Sequence, residues 1–404
     1  MKTQSILAAA SLTALISTAG SVDAGLSIYP KNLARHHMGS NLMVFNDASQ
    51  SFVPTDSAAA WLDDDITTGA SVQTGHHFYL LALAEPQLVN NFSVSTEGGS
   101  GTVSLFASDE PAKPESPTWK ALAKDVDLSA ISQKKLEKPF SRLTKYILIE
   151  TNVQKSAPWY GLYLYGEKPS VAYHLQKRSQ DIDPRAIFGS NVNVGASISL
   201  SSLYTQSRVT YVNAGSEPVA WNRIIDDNSG SLSSSEPAQS ESGIVLKYGN
   251  QQSIHRVALL TEKSAKGKLE FFLVSNPAKE GTPIDIANST PIATIAIDNG
   301  TNRVSADFPP VKADQLLVRW TPEIEGQPLA ISELNSFGDV TLASYELAPD
   351  GIAEYTHKSG KDGKDSKDMP PPVGEGPADP VGEAPKTPFI PGTPPFPPDF
   401  PVSP

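Results

Sequence analysis

The chain has 404 residues, 39% apolar and 19% charged, a balance typical of globular domains and a length that holds two or three of them. A formal net charge of −12 argues against nucleic acid and anionic membrane surfaces, since both repel an acidic face. With no cysteine there are no disulfides, zinc–thiolate sites or thiol chemistry, so stability has to come from cores of domain size.

Residues 1–24 read as a secretory signal. Lys2 supplies a short positive start, Ile6 to Ile16 is an apolar run, and Val22-Asp23-Ala24 suits a cleavage site. That run is shorter than the roughly 20 residues a membrane span needs, and no later stretch is long and apolar enough to cross. The expected location is therefore secreted, periplasmic or at the cell surface. Residues 25–168 form the first expected domain. Leu26 to Tyr29 suits a strand, and Met38-Gly39-Ser40-Asn41 has an echo in Phe188-Gly189-Ser190-Asn191. Next comes Ala60-Trp61-Leu62-Asp63-Asp64-Asp65, followed by Thr67-Thr68-Gly69. Phe78 to Leu83 and Val89 to Thr96 read as strands, the second by its alternation of apolar and polar residues. Gly98 to Gly101 is a turn and Thr102 to Ser108 the returning strand. Pro111 to Pro139 is looser. Tyr146 to Thr151 and Tyr160 to Gly166 close the unit.

The order then repeats. Ala220-Trp221 leads to Asp226-Asp227-Asn228-Ser229-Gly230-Ser231. Gly243 to Gly249, Ile254 to Thr261, Leu269 to Ser275, Leu316 to Thr321 and Ile331 to Gly338 follow as the earlier strands do. Residues 169–184 read as a linker, residues 185–350 as the second domain, and Val340 to Leu347 as an extra strand. Short strands with turn signals between them indicate sheets packed face to face. The expected fold is all-β: two tandem jelly-roll β-sandwich domains. Residues 351–404 are a mixed-charge stretch and a proline-dense run that cannot bury a core, hence a disordered, extended tail suited to spacing or to binding a protein partner.

These patterns resemble the galactose-binding-like, discoidin-type domains. The acidic pair with its Thr/Ser follow-on, the Ile254-His255-Arg256-Val257-Ala258-Leu259 strand and the closing Phe337-Gly338 carry the likeness, as do Asp64-Asp65, Val89 to Val94 and Tyr165-Gly166 in the first copy. Members usually follow the acidic position with glycine and, shortly downstream, tryptophan; neither copy does. The resemblance implies jelly-roll sandwiches and a structural calcium beside the acidic loops. Asp64, Asp65, Asp226 and Asp227 are the candidate ligands, since calcium collects six to eight hard oxygens from irregular loops. The same side chains also suit capping of their own turns.

Trp119, Trp159 and Tyr163 are candidate ligand-binding aromatics, because a flat ring packs on the apolar face of a sugar. Trp119 is the one expected to be exposed. Trp159 and Tyr163 share a strand face, where such residues more commonly form core. His36-His37 and His76-His77 on strands point to opposite faces, so neither pair chelates one ion; both read as surface or half-buried. The sequence carries no Gly-x-Ser-x-Gly elbow, His-Glu-x-x-His or phosphate loop. The expected role is a non-catalytic binding protein for carbohydrate or another envelope or matrix component. The alternative is a structural surface protein acting through protein contacts, with a hydrolase as a distant third.

Overall fold

A computed structural model describes residues 31–347 apart from 132–139, 167–173, 180–181, 190–191, 214–216, 236–241, 276–288, 299 and 301. The expected signal, the strand at Leu26 to Tyr29 and the tail lie outside the described residues.

The first sandwich is built from β1 (Asn41–Asn46), β2 (Ser51–Pro54), β3 (Ala70–Ser71), β4 (Gly75–Thr96), β5 (Ser100–Ser108), β6 (Lys120–Asp127), β7 (Arg142–Lys155) and β8 (Pro158–Gly166), with the short helix α1 (Ser57–Leu62) before β3. The path β9 (Leu175–Lys177) leads to the second sandwich: β10 (Arg208–Val212), β11 (Ser233–Ser234), β12 (Ser242–Thr261), β13 (Gly267–Val274), β14 (Ala293–Ile297), β15 (Arg303–Pro322) and β16 (Ala330–Gly338), then β17 (Tyr345–Leu347). All described pairings are antiparallel.

The two sandwiches have one topology. Neighbours run β3-β8-β4-β7-β5-β6 with β1 on β4, and β11-β16-β12-β15-β13-β14 with β10 on β12. The longest strands serve both layers. The first half of β4 pairs with β1 and β7; its second half pairs with β8. The register shifts between Ala82 and Gln87, around Pro86, which cannot donate to a ladder and so sits at a bend. β12 shifts between Lys247 and Gln252 in the same way. Later shifts also correspond: Val89/Asn91 in β4 matches Ile254/Arg256 in β12.

Two-residue alternation sends Tyr79, Leu81, Leu83, Ile147 and Ile149 into the sandwich, against Phe92, Val94, Leu162 and Leu164 from the facing layer. Trp61 from α1 is fully buried, donates to the Ala70 carbonyl at 3.0 Å and packs on Trp159 with ring centroids 4.9 Å apart. Trp221 takes the matching place in the second sandwich. On the outer face of the first layer, Leu80 and Leu148 are covered by Trp119; their counterparts Val245 and Leu317 pack with Phe272.

Four details differ from expectation. The stretch from Pro111 to Pro139 contains a regular strand, β6, and a helical turn at Leu128–Ile131. The segment read as linker contributes β9, which pairs with β17. The extra strand expected over Val340 to Leu347 is a 3₁₀ turn at Leu342–Ser344 followed by β17. The counterpart of Met38-Gly39-Ser40 is Thr205-Gln206-Ser207, not Phe188 onward. In both, the first amide of the segment bonds the closing strand (Leu33 to Leu164, Leu200 to Ser336), and the serine hydroxyl returns to that same leucine's carbonyl. Gly39 (φ 77°) and Gln206 (φ 63°) hold the same left-handed turn, so the shared feature is conformational and its residue identity is lost.

Candidate functional site

Each acidic loop begins where the Trp-bearing turn ends, and hydrogen bonds establish their correspondence. Thr68 donates amide and hydroxyl to the Asp65 carbonyl; Ser231 does the same to Asn228. Asp63, Asp64 and Asp65 therefore match Asp226, Asp227 and Asn228. Asp227 adopts φ 57°, the left-handed region that residues other than glycine rarely occupy.

The two loops do not line separate openings. They meet. Arg35, in the turn before β1, is 1% exposed and donates from Nε to both carboxylate oxygens of Asp227 at 2.9 Å. It also bonds the Asp63 carbonyl and lies 4.9 Å over the Tyr163 ring. Asp64 accepts from the Ser199 amide at 3.0 Å and lies 3.2 Å from His37 Nδ1. The acidic loop of each copy thus engages the opening turn of the other, a reciprocal arrangement of the kind found in two-fold dimers. Around it, Arg256 donates to Asp65 at 3.0 Å and to Asp307, Arg303 reaches Glu97 at 2.8 Å, and the Tyr165 hydroxyl bonds Asn228 at 3.1 Å.

Burial acts on these acids first. It raises Asp63, Asp226 and Glu333 well above the usual carboxylate range, with Asp226 raised further by Asp227, and Glu333 by Asp226 and Asp227. Burial also leaves Asp227 raised, against the pull of Arg35. At Asp64 burial works the same way, but His37, Arg35 and the Ser199 amide together outweigh it and hold the group low.

The expected calcium set therefore does not fit. Asp227 already holds a guanidinium, Asp65 holds another, and Asp64 is spent on His37 and an amide. Asp226 is held toward its protonated form. Among the described residues no group of three or more acids and histidines is disposed to hold a metal ion. Arg35, His37, Ser199, Arg256 and Arg303 complete the cluster, and of these Arg35, Ser199 and Arg303 carry no local sequence signal.

The aromatic candidates are core. Trp159 is buried inside the first sandwich. Tyr163 is buried on the opposite face of the same strand beneath Arg35, because a register shift between them breaks the shared face. Trp119, expected to be exposed, is 9% exposed and donates to the Lys113 carbonyl at 2.8 Å. No face of the three lies open to stack a sugar. His36 and His37 are also buried rather than at the surface, because His36–Met38 form a 3₁₀ turn tucked beneath the sandwich end. His76 is exposed on β4 and paired with Glu150 at 2.7 Å.

An open concavity of about 280 Å³ lies beside this turn. Asn41, Thr55, Asp56 and Asn193 supply its polar lining, with Leu42 and Ala58 among its apolar groups. Asp56 is the N-cap of α1, yet its carboxylate makes no capping bond. Behind it His36 donates from Nε2 to the Ala58 carbonyl, 3.2 Å away, and burial lowers its pKa to about 4, so the ring is neutral at pH 7.

No family model and no curated protein matches this chain. Solved structures do. A chitosan-binding module of a chitosanase/glucanase from Paenibacillus sp. IK-5 is 18% identical over 35% of this chain and 98% of its own, with a TM-score of 0.28. A serum fucolectin of striped bass, Morone saxatilis, is 12% identical over 77% of this chain and 99% of its own, with a TM-score of 0.26. The family 32 carbohydrate-binding module of NanJ from Clostridium perfringens, solved with galactose, is 14% identical over 33% and 99%, with a TM-score of 0.25. These are galactose-binding-like domains of the kind the sequence resembles. With TM-scores of 0.25 to 0.28, the likeness carries no argument about what this chain binds.

Proposed function

We propose that the protein is a non-catalytic carbohydrate-binding protein that works outside the cytoplasm, its two sandwiches acting as one body. The observation that carries this reading is the division between buried and open groups. The strongly perturbed acids sit in a closed junction between the sandwiches, where an incoming substrate has no room. The open concavity presents carboxamides, a hydroxyl and a lone carboxylate, which are groups that recognise hydroxyls. Export fits Lys2 and the apolar run from Ile6 to Ile16. The proline-dense tail would serve as a spacer or as a contact for a protein partner.

The test is retention of the purified full chain on a glycan array and on insoluble polysaccharides. Binding to at least one glycan, displaced by the free sugar, is the expected result. No retention on any glycan, with stable capture of an envelope protein, would favour a structural surface role instead.

A further inference from the structure

The duplication raises the question of how many sites one chain carries. At the concavity beside α1 the two copies diverge. Backbone hydrogen bonds match Arg35 to Ser202 and Ser40 to Ser207, which sets Leu203 in place of His36 and Arg208 in place of Asn41. A long cation thus stands in the second sandwich where the first has a short carboxamide. Asn222, from the Trp-bearing turn of the second copy, spends its side-chain oxygen on the Val209 amide at 2.8 Å.

We infer that, among the described residues, a sugar site lies at the concavity of the first sandwich and not at the matching place in the second, and that this site takes a single non-acidic sugar ring. This rests on the carbohydrate-binding reading above. Volume and lining argue for one ring. About 280 Å³ lies at the lower edge of the range for small-molecule sites. Pro54 and Ala59 supply exposed apolar surface for the C–H face of a pyranose. Asn41, Thr55 and the Asn193 amide can donate to its hydroxyls, and Asn41, Thr55 and the Asp56 carboxylate can accept from them; the Asn193 oxygen is taken by the Gly195 amide at 3.2 Å. Charge argues against an acidic sugar. Asp56 is the one acidic side chain among the lining residues, which include no lysine or arginine. His36 is neutral and its Nδ1 has no hydrogen-bond partner, so it brings no compensating positive charge. A uronic acid, sialic acid or sulfated sugar would meet repulsion with nothing to offset it.

Asp56 is the anchor. Because it makes no capping bond, replacing it removes a ligand group without uncapping α1. The experiment is titration calorimetry of the full chain with a glycan retained on the array, using wild type, Asp56→Ala and Asn193→Ala, each checked for an unchanged melting temperature. Matched neutral, amino and acidic sugars form the ligand arms. The expected result is one site per chain, neutral or amino sugars preferred over acidic ones, and affinity weakened about tenfold or more by Asp56→Ala, the loss typical of a charge-assisted hydrogen bond. Two sites per chain, equal affinity for acidic sugars, or full affinity in both variants would each overturn the assignment while leaving carbohydrate binding intact. Failure of wild type to bind any glycan would overturn both.

Discussion

Arg35 and Asp227 stand 192 positions apart and form a forked ion pair, the guanidinium bonded through Nε to both carboxylate oxygens at 2.9 Å. The pair is the centre of the junction between the sandwiches. It also explains why Asp227 tolerates a left-handed backbone: that conformation lies at the turn that presents its carboxylate to Arg35. Removing one partner leaves a buried charge without compensation. Arg35→Met should lower stability by roughly 3–5 kcal/mol in urea unfolding. The double variant Arg35→Met/Asp227→Asn should recover part of that loss, because the stranded carboxylate is gone. Equal stability of wild type and Arg35→Met would show that the junction does not depend on the pair.

Calcium should leave the protein unchanged. The sites that the acidic loops offer are filled by Arg35, Arg256, His37 and the Ser199 amide. Melting curves with millimolar calcium and with chelator should superpose, since a ligand that binds the folded state raises the melting temperature. A rise of several degrees with calcium would contradict the argument from donor chemistry.

Acid stability should carry the mark of His36. Its folded pKa, about 4, lies below the ordinary value of 6.5 because burial disfavours the imidazolium. The stability this group contributes is complete above pH 6.5 and is lost as pH falls through 4, at up to about 1.4 kcal/mol per unit within that window. His36→Asn should flatten this part of the unfolding midpoint against pH. An unchanged slope in the variant would mean that other groups set it.

Glu333 should act in the opposite sense. Burial, with Asp226 and Asp227 nearby, raises its folded pKa. Its contribution is therefore complete below the ordinary carboxylate range and is lost as pH climbs through the raised value. Glu333→Gln keeps an oxygen for the Asn228 amide, which Glu333 accepts at 3.2 Å. The variant should melt higher than wild type at pH 8 and at nearly the same temperature at pH 4. A lower melting temperature at pH 8 would show that the carboxylate is stabilising there.

Trp159 should matter for folding and not for recognition. It is fully buried against Trp61. Trp159→Ala should cost about 3–5 kcal/mol by the scale of large-to-small core changes. Trp159→Phe, milder in volume, should keep full glycan affinity. Selective loss of affinity in the folded Phe variant would return this ring to the ligand site.

The repeat, the strand class and the rough strand order were legible because they are local facts. Alternation with a period of two marks Val89 to Thr96 as a half-buried strand whatever it packs on, and the second copy shows the same period from Ile254. Alternation does not say what covers a face. Trp119 looked exposed because its own stretch lacks a pattern; the structure folds that stretch over Leu80 and Leu148. Asp64, Asp65, Asp226 and Asp227 were visible as clusters of oxygen ligands, but their partners were not. Whether an aspartate meets calcium or a guanidinium depends on which residues lie within about 4 Å, and charge pairs at that range form across any sequence separation. The amino-acid sequence by itself determined two sandwiches of one design. Only the tertiary structure decided that they interlock through their acidic loops, because that choice rests on burial and Coulomb energy between residues nearly half a chain apart.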